Sequence, residues 1–219
     1  KNSRFARPVW LLLNFVAWQS HYRGIGHKAT PDLKGDAMLF GLFRRRTRDA
    51  EHKVYCEIVA QARQPVFYTD FHVPDSIDGR FDMIVAHAVL YFRRMRGEGK
   101  SVSEFTQNVF DLFFLDMDAS LREMGVSDTR VPKKVKVMGE AFYGRADAYI
   151  PAIESKNVDE LAEALGRNIY PDAPEPVAQK RLAYYMLEAA ESLEGQTVEA
   201  LMNGSIVWSD PEKFKALPV

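Results

Sequence analysis

From Phe81 to Met95 the apolar residues are Phe81, Ile84, Val85, Ala88, Tyr91, Phe92 and Met95, at offsets 0, 3, 4, 7, 10, 11 and 14. This is the spacing of an α-helix with one buried face. A strand cannot use it, because a strand buries every second residue. The same period returns at Val131, Val135, Met138, Phe142, Ala146 and Tyr149. Between the two lies a segment with two apolar stripes. One is Phe105, Val109, Leu112 and Phe113; the other is Phe110, Phe114, Met117 and Leu121. A helix apolar on two faces is buried between neighbours, so the helix of about 101–121 is expected at the centre. Successive helices of this kind predict an all-α chain, with a single irregular multi-helix domain.

Local punctuation divides the rest. Asp49 to Ala62 reads as a helix stopped before Pro65, because proline removes a donor and clashes with the preceding turn. Residues 66–80, with Phe67, Tyr68, Phe71, Pro74 and Gly79, read as an extended aromatic loop that must dock on its own core or on a partner. Gly97-Glu98-Gly99 ends the helix that begins at Phe81, and the next is expected to start near 101–104. Asn157 and Glu160 have capping-box spacing, and Pro174 and Pro176 introduce a helix carrying Leu182, Tyr185, Met186, Ala189 and Leu193. Thr197 caps a short helix closed by Asn203-Gly204, and Asp210-Pro211 starts a last turn.

A chain of 219 residues buries enough surface to fold without a metal or disulfide. The single cysteine, Cys56, cannot form an internal disulfide, and the five histidines are scattered, so no zinc site is expected. No glycine-rich phosphate loop, metalloprotease helix or nucleophile elbow is present. No metal or cofactor is expected, and the chain reads as a binding protein rather than an enzyme.

The net charge of −1 gives no general case for nucleic acid, and no specific nucleic-acid recognition is expected. That total is a cancellation. Residues 1–37 carry six Lys/Arg and two Asp/Glu, 38–150 carry 17 and 16, and 151–219 carry 6 and 12. Residues 1–37 are read as an extension outside the domain. Its origin stands open: a native basic, tryptophan-bearing head, or a non-native or misassigned start upstream of Met38. Residues 38–48 then combine an apolar tip of Leu39, Phe40, Leu42 and Phe43 with Arg44, Arg45 and Arg46. An apolar anchor beside a basic cluster is a two-signal arrangement for an anionic membrane surface. The helical domain is expected over 49–219.

At 100° per residue Asp116 falls inside the first stripe of its helix, between Val109 and Leu112. A bare carboxylate there costs several kcal/mol, so Asp116 is expected to be buried and paired with an Arg, Lys or His of another helix. His87 lies at the edge of its stripe and is expected as a hydrogen-bonded boundary residue. Arg130, Lys133, Lys134 and Lys136 crowd the N-terminus of the helix at 131–149, where cations oppose the helix dipole. An anionic partner would offset that local conflict.

Phe67-Tyr68, Val73-Pro74-Asp75, Asp78-Gly79-Arg80-Phe81-Asp82, His87, Phe110-Asp111, Asp116-Met117-Asp118, the run Leu121 to Val126, Val135-Lys136 and Ala141 to Arg145 stand in a particular order. That ordered set resembles the ubiquinol–cytochrome c chaperone family over roughly residues 55–200, and its alphaproteobacterial branch in particular. The resemblance implies an all-helical, non-enzymatic assembly factor for respiratory complex III that binds newly made cytochrome b. It also implies work near the ribosome or with a small helper protein. Peripheral attachment at the cytoplasmic face of a bacterial inner membrane is implied as well. Carried over residue by residue, the candidate partner surface comprises Asp75, Arg80, His87, Asp111, Arg122, Glu123, Lys133, Lys136, Tyr143 and Arg145. The rival reading is a helical enzyme or small-ligand carrier, which requires Asp116, His87 and Arg80 to converge in one cavity.

Overall fold

The structure, a computed structural model, describes residues 38–219, with side chains described from Asp49 onward. The expectations for residues 1–37, and for the side chains of Leu39, Phe40, Leu42, Phe43, Arg44, Arg45 and Arg46, lie outside the described residues. Among the described residues every regular element is helical: α1 (Met38–Ala62), α2 (Pro65–Thr69), α3 (Ile77–Arg94), α4 (Lys100–Glu123), α5 (Val131–Glu154), α6 (Val158–Ile169), α7 (Pro176–Glu194), α8 (Val198–Met202) and a terminal 3-10 turn (Pro211–Phe214). The all-helical class is as the periodicity predicts. The first helix is longer than expected, since it begins at Met38 rather than Asp49.

The most enclosed helix is α3, which packs against α1, α5, α6 and α7. Every residue from Phe81 to Phe92 is buried. α4, expected at the centre, does bury both of its stripes, apart from a half-buried Leu112, but it packs mainly between α1 and α5. A stripe pattern reports how many faces a helix buries, and α3 shows that it undercounts. Asp82, Met83, Ala86, His87, Val89 and Leu90 lie off the α3 stripe and are buried all the same, because four neighbours surround the helix.

The segment 66–80 is not the expected extended loop. Pro65 opens the short α2, and Phe67 and Phe71 are fully buried, so the aromatic cluster docks on the chain's own core. Phe67 packs edge-on against His87 and Tyr185, with ring centroids 5.4 and 5.1 Å away. Helix α3 starts four residues before the apolar stripe, capped by Ser76, whose hydroxyl accepts from Gly79 N–H at 3.1 Å. Gly79 is required there, since a Cβ would stand 2.0 Å from the Pro74 carbonyl oxygen.

The later caps form as predicted. Asn157 Oδ1 accepts from Glu160 N–H at 3.1 Å, and Thr197 Oγ1 accepts from Ala200 N–H at 3.2 Å. Asp210 Oδ1 accepts from Glu212 N–H at 3.0 Å ahead of the last turn.

Candidate functional site

Helix α4 ends in a Schellman turn. Gly125, at φ +80°, lets Val126 N–H donate to Leu121 C=O at 3.0 Å and its own N–H donate to Arg122 C=O at 2.9 Å. The turn folds Val126 back over Leu121 and delivers the chain into α5. One side of this junction is a groove of about 610 Å³. Ile77, Asp78, Phe81 and Asp82 of α3 form one wall. Leu121, Met124 and Val126 form the end, and Lys133, Lys134, Val137, Met138, Ala141 and Arg145 of α5 form the other wall. Three of the large apolar side chains that reach furthest into solvent meet here: Ile77 at 64% exposure, Val137 at 62% and Met124 at 49%. Clustered exposed apolar groups mark a contact surface, whereas scattered ones are ordinary.

The groove floor holds an ion pair. Arg145 Nη2 lies 2.5 Å from Asp82 Oδ1, and the Asp82 side chain is only 5% exposed. Arg145 also donates from Nη1 to Ala141 C=O at 3.2 Å and sits over the Phe81 ring, 5.7 Å from its centroid. Burial pushes the Asp82 carboxyl up to about 6, outweighing the pull of Arg145. The same two residues line a second cleft of about 380 Å³ toward His72, Asn168 and Tyr170, so the pair is the wall between the two.

The candidate residues are dispersed. Lys133 and Arg145 line the groove. Arg122 and Glu123 sit at its α4 end, where Arg122 binds Asp118 at 2.5 Å and also Asp128. Asp75 and Arg80 pair with each other at 2.6 Å on the surface. Lys136 reaches Glu140 at 3.5 Å. Asp111 accepts from Gln107 Nε2 at 2.8 Å, and Tyr143 is buried beside Phe110 with ring centroids 5.9 Å apart.

His87 is no surface residue. It is fully buried, and its place is a hydrogen-bonded chain through the core. Nδ1 lies 2.8 Å from Met83 C=O, an acceptor, so Nδ1 carries the proton and Nε2 accepts from Tyr185 O–H at 2.8 Å. Tyr185 in turn accepts from Gln61 Nε2 at 2.9 Å. Burial holds the imidazole down to about 4, so it is neutral near pH 7.

Asp116 is not the buried, cation-paired carboxylate that its stripe position predicts. It is exposed, and its partner is Tyr55, whose hydroxyl donates to Oδ2 at 2.6 Å, rather than a cation. Tyr55 is pushed well above the ordinary phenol range by burial, with Asp116 adding to it, so the phenol stays protonated as the donor. Leu115 beside it is exposed too, at 49%. The buried carboxylates are instead Asp82 and Glu51, which accepts from Asn108 Nδ2 at 2.6 Å. Asp116, His87 and Arg80 thus sit in three separate environments, and the convergence that an enzyme or carrier site required is absent. Asp82 was missed because its angle puts it on the polar side of the α3 stripe. Its neighbour Phe81 and the cation Arg145 were the available signals.

Among the described residues no group of three or more His, Cys, Asp or Glu is placed to hold a metal ion. No helix among them is long and apolar enough to cross a membrane.

Residues 69–208 match the profile of the family described as ubiquinol-cytochrome C chaperone. Drosophila melanogaster ubiquinol-cytochrome c reductase complex assembly factor 1 is 22% identical over 179 residues, covering 78% of this chain and 69% of that protein. The crystal structure of the Cbp3 homolog from Brucella abortus is 39% identical with a TM-score of 0.73, covering 80% of this chain and 99% of that one. The profile spans most of the chain, including α3, α4, α5 and the groove between them, and the chain belongs to the ubiquinol–cytochrome c chaperone family.

Proposed function

We propose that this protein is a non-enzymatic chaperone in the assembly of ubiquinol–cytochrome c reductase. It holds newly made cytochrome b, and the groove between α3, the α4 end and α5 is where the client contacts it. The observation that carries the reading is the gathering of Ile77, Met124 and Val137, half-exposed or more, around one concavity in a chain of this family. A chaperone for a membrane protein must cover apolar surface. The aromatic cluster of Phe67 and Phe71, by contrast, is already used in the core. The working position is peripheral at the inner face of the inner membrane, with Leu39 to Arg46 as the attachment segment. A ribosome or a small helper protein is a further partner.

The test is affinity capture from the native cell with Val137→Asp beside the wild type. Position 137 is solvated, so the change shifts folding stability by no more than about 0.5 kcal/mol. Wild type is expected to recover unassembled cytochrome b and the variant to lose it. Equal recovery by both would remove the groove as the contact surface. No recovery by wild type, with complex III levels normal in a deletion strain, would remove the function.

A further inference from the structure

The groove is not electrically neutral, and its charges are arranged. Asp82 and Arg145 cancel on the floor. On the α5 wall stand Lys133 and Lys134, both exposed, with no carboxylate within ion-pair distance among the described residues. On the α3 wall, with Asp82 taken up by Arg145, the remaining carboxylate is Asp78. The two lysines occupy the first turn of a 24-residue helix that has no acidic residue there and no side-chain cap, so the helix dipole opposes them. Elsewhere the chain uses Asp159 and Glu160 in the first turn of α6, which is the favourable arrangement. Lys133 and Lys134 therefore stand against the local electrostatics, beside the exposed apolar cluster of Ile77, Met124 and Val137, with their charges unspent.

We infer that the groove takes an amphipathic helix of a partner protein, its apolar face on Ile77, Met124 and Val137 and a row of carboxylates along the side that meets Lys133 and Lys134. The inference rests on the reading of the groove as the client surface and adds the chemistry of the occupant. A small ligand fits less well, because pockets for small molecules enclose their lining, whereas here the apolar side chains project into water. A membrane fits less well too, since a bilayer presents a flat face, whereas the groove is a concavity between two walls. A helix with a cylinder of about 10 Å suits that shape, contacting it through residues spaced i, i+3, i+4 and i+7. Asp78 opposite the lysines favours one orientation, with any cation of the helix on the α3 side.

The experiment uses the full chain and two synthetic 18-residue helical peptides that share a leucine face and differ only in carrying Glu or Lys along one flank. Fluorescence anisotropy reads binding. The Glu peptide is expected to bind wild type about tenfold tighter than the Lys peptide at low salt, a preference that shrinks at 0.5 M salt. Lys133→Glu with Lys134→Glu is expected to reverse it. Val137→Asp is expected to weaken both peptides, with circular dichroism confirming the fold. No discrimination by wild type, or discrimination untouched by the double reversal, overturns the inference. So does a double reversal that abolishes binding to phosphatidylserine vesicles while leaving the peptides unaffected. If capture of cytochrome b still depends on Val137 while the charge preference is absent, the groove reading stands and only the occupant's chemistry falls.

Discussion

Replacing His87 by leucine should make the protein less stable at neutral pH and more tolerant of acid. The wild-type imidazole is neutral in the core, and its pKa is held down to about 4 by burial, against 6.5 in the unfolded chain. A lowered folded-state pKa gives stability that is complete above about 6.5 and lost as pH falls through 4. At 1.36 kcal/mol per pH unit the gap is worth about 3 kcal/mol. The physical cause lies in the chain of hydrogen bonds. A protonated Nε2 would become a donor facing Tyr185, whose oxygen already accepts from Gln61, and the Tyr185 O–H would lose its acceptor. Leucine at 87 also strips that acceptor, at a cost of about 2 kcal/mol for a buried hydroxyl left without a partner. It carries no charge to be trapped. The variant should therefore be about 2 kcal/mol less stable than wild type at pH 7.5 and about 1 kcal/mol more stable at pH 4. Urea unfolding followed by circular dichroism at several pH values between 7.5 and 4 reads the difference. A gap between the two proteins that does not change with pH would refute the assignment of a neutral, core-locked imidazole.

Asp82→Asn should act in the opposite sense. The Asp82 carboxyl is raised from 3.8 to about 6, so its favourable contribution is complete below 3.8 and is lost as pH rises through 6. That rise is worth about 3 kcal/mol and offsets His87 on acidification, so the asparagine variant should lose stability toward pH 4 more steeply than wild type in the same titration. Gly79→Ala should cost more than about 2 kcal/mol, because the new methyl would meet the Pro74 carbonyl oxygen at 2.0 Å and the backbone before α3 must shift. Thermal unfolding of that variant measures it, and an unchanged melting temperature would show that the Pro74–Gly79 turn is looser than described.

What could be read without coordinates was whatever depends on neighbours along the chain. The 3.6-residue period located α3, α4, α5 and α7. Asn157, Thr197 and Asp210 marked helix starts because a side-chain oxygen two or three residues ahead of an orphan N–H satisfies it regardless of the rest of the fold. The order of short motifs was enough to name the family. The start of α3 escaped notice because Pro74 and the Asp78-Gly79 pair look like a turn, and only the packing of Pro74 against Gly79 makes that glycine part of a helix.

What the tertiary structure alone decided is which faces meet water. Helical angle placed Asp116 in an apolar stripe, yet it is exposed, while Asp82, which lies off the stripe of its own helix, is buried. Four helices surround α3 and cover its polar side, whereas α4, packed mainly between α1 and α5, leaves Leu115 and Asp116 exposed. His87 moved from a proposed contact surface to the core for the same reason. The groove depends on it as well. Ile77, Met124 and Val137 are scattered over sixty residues of sequence, and only the crossing of α3 and α5 beside the Gly125 turn brings them to one place. Periodicity is a property of one helix, whereas exposure is a property of how many others lie against it.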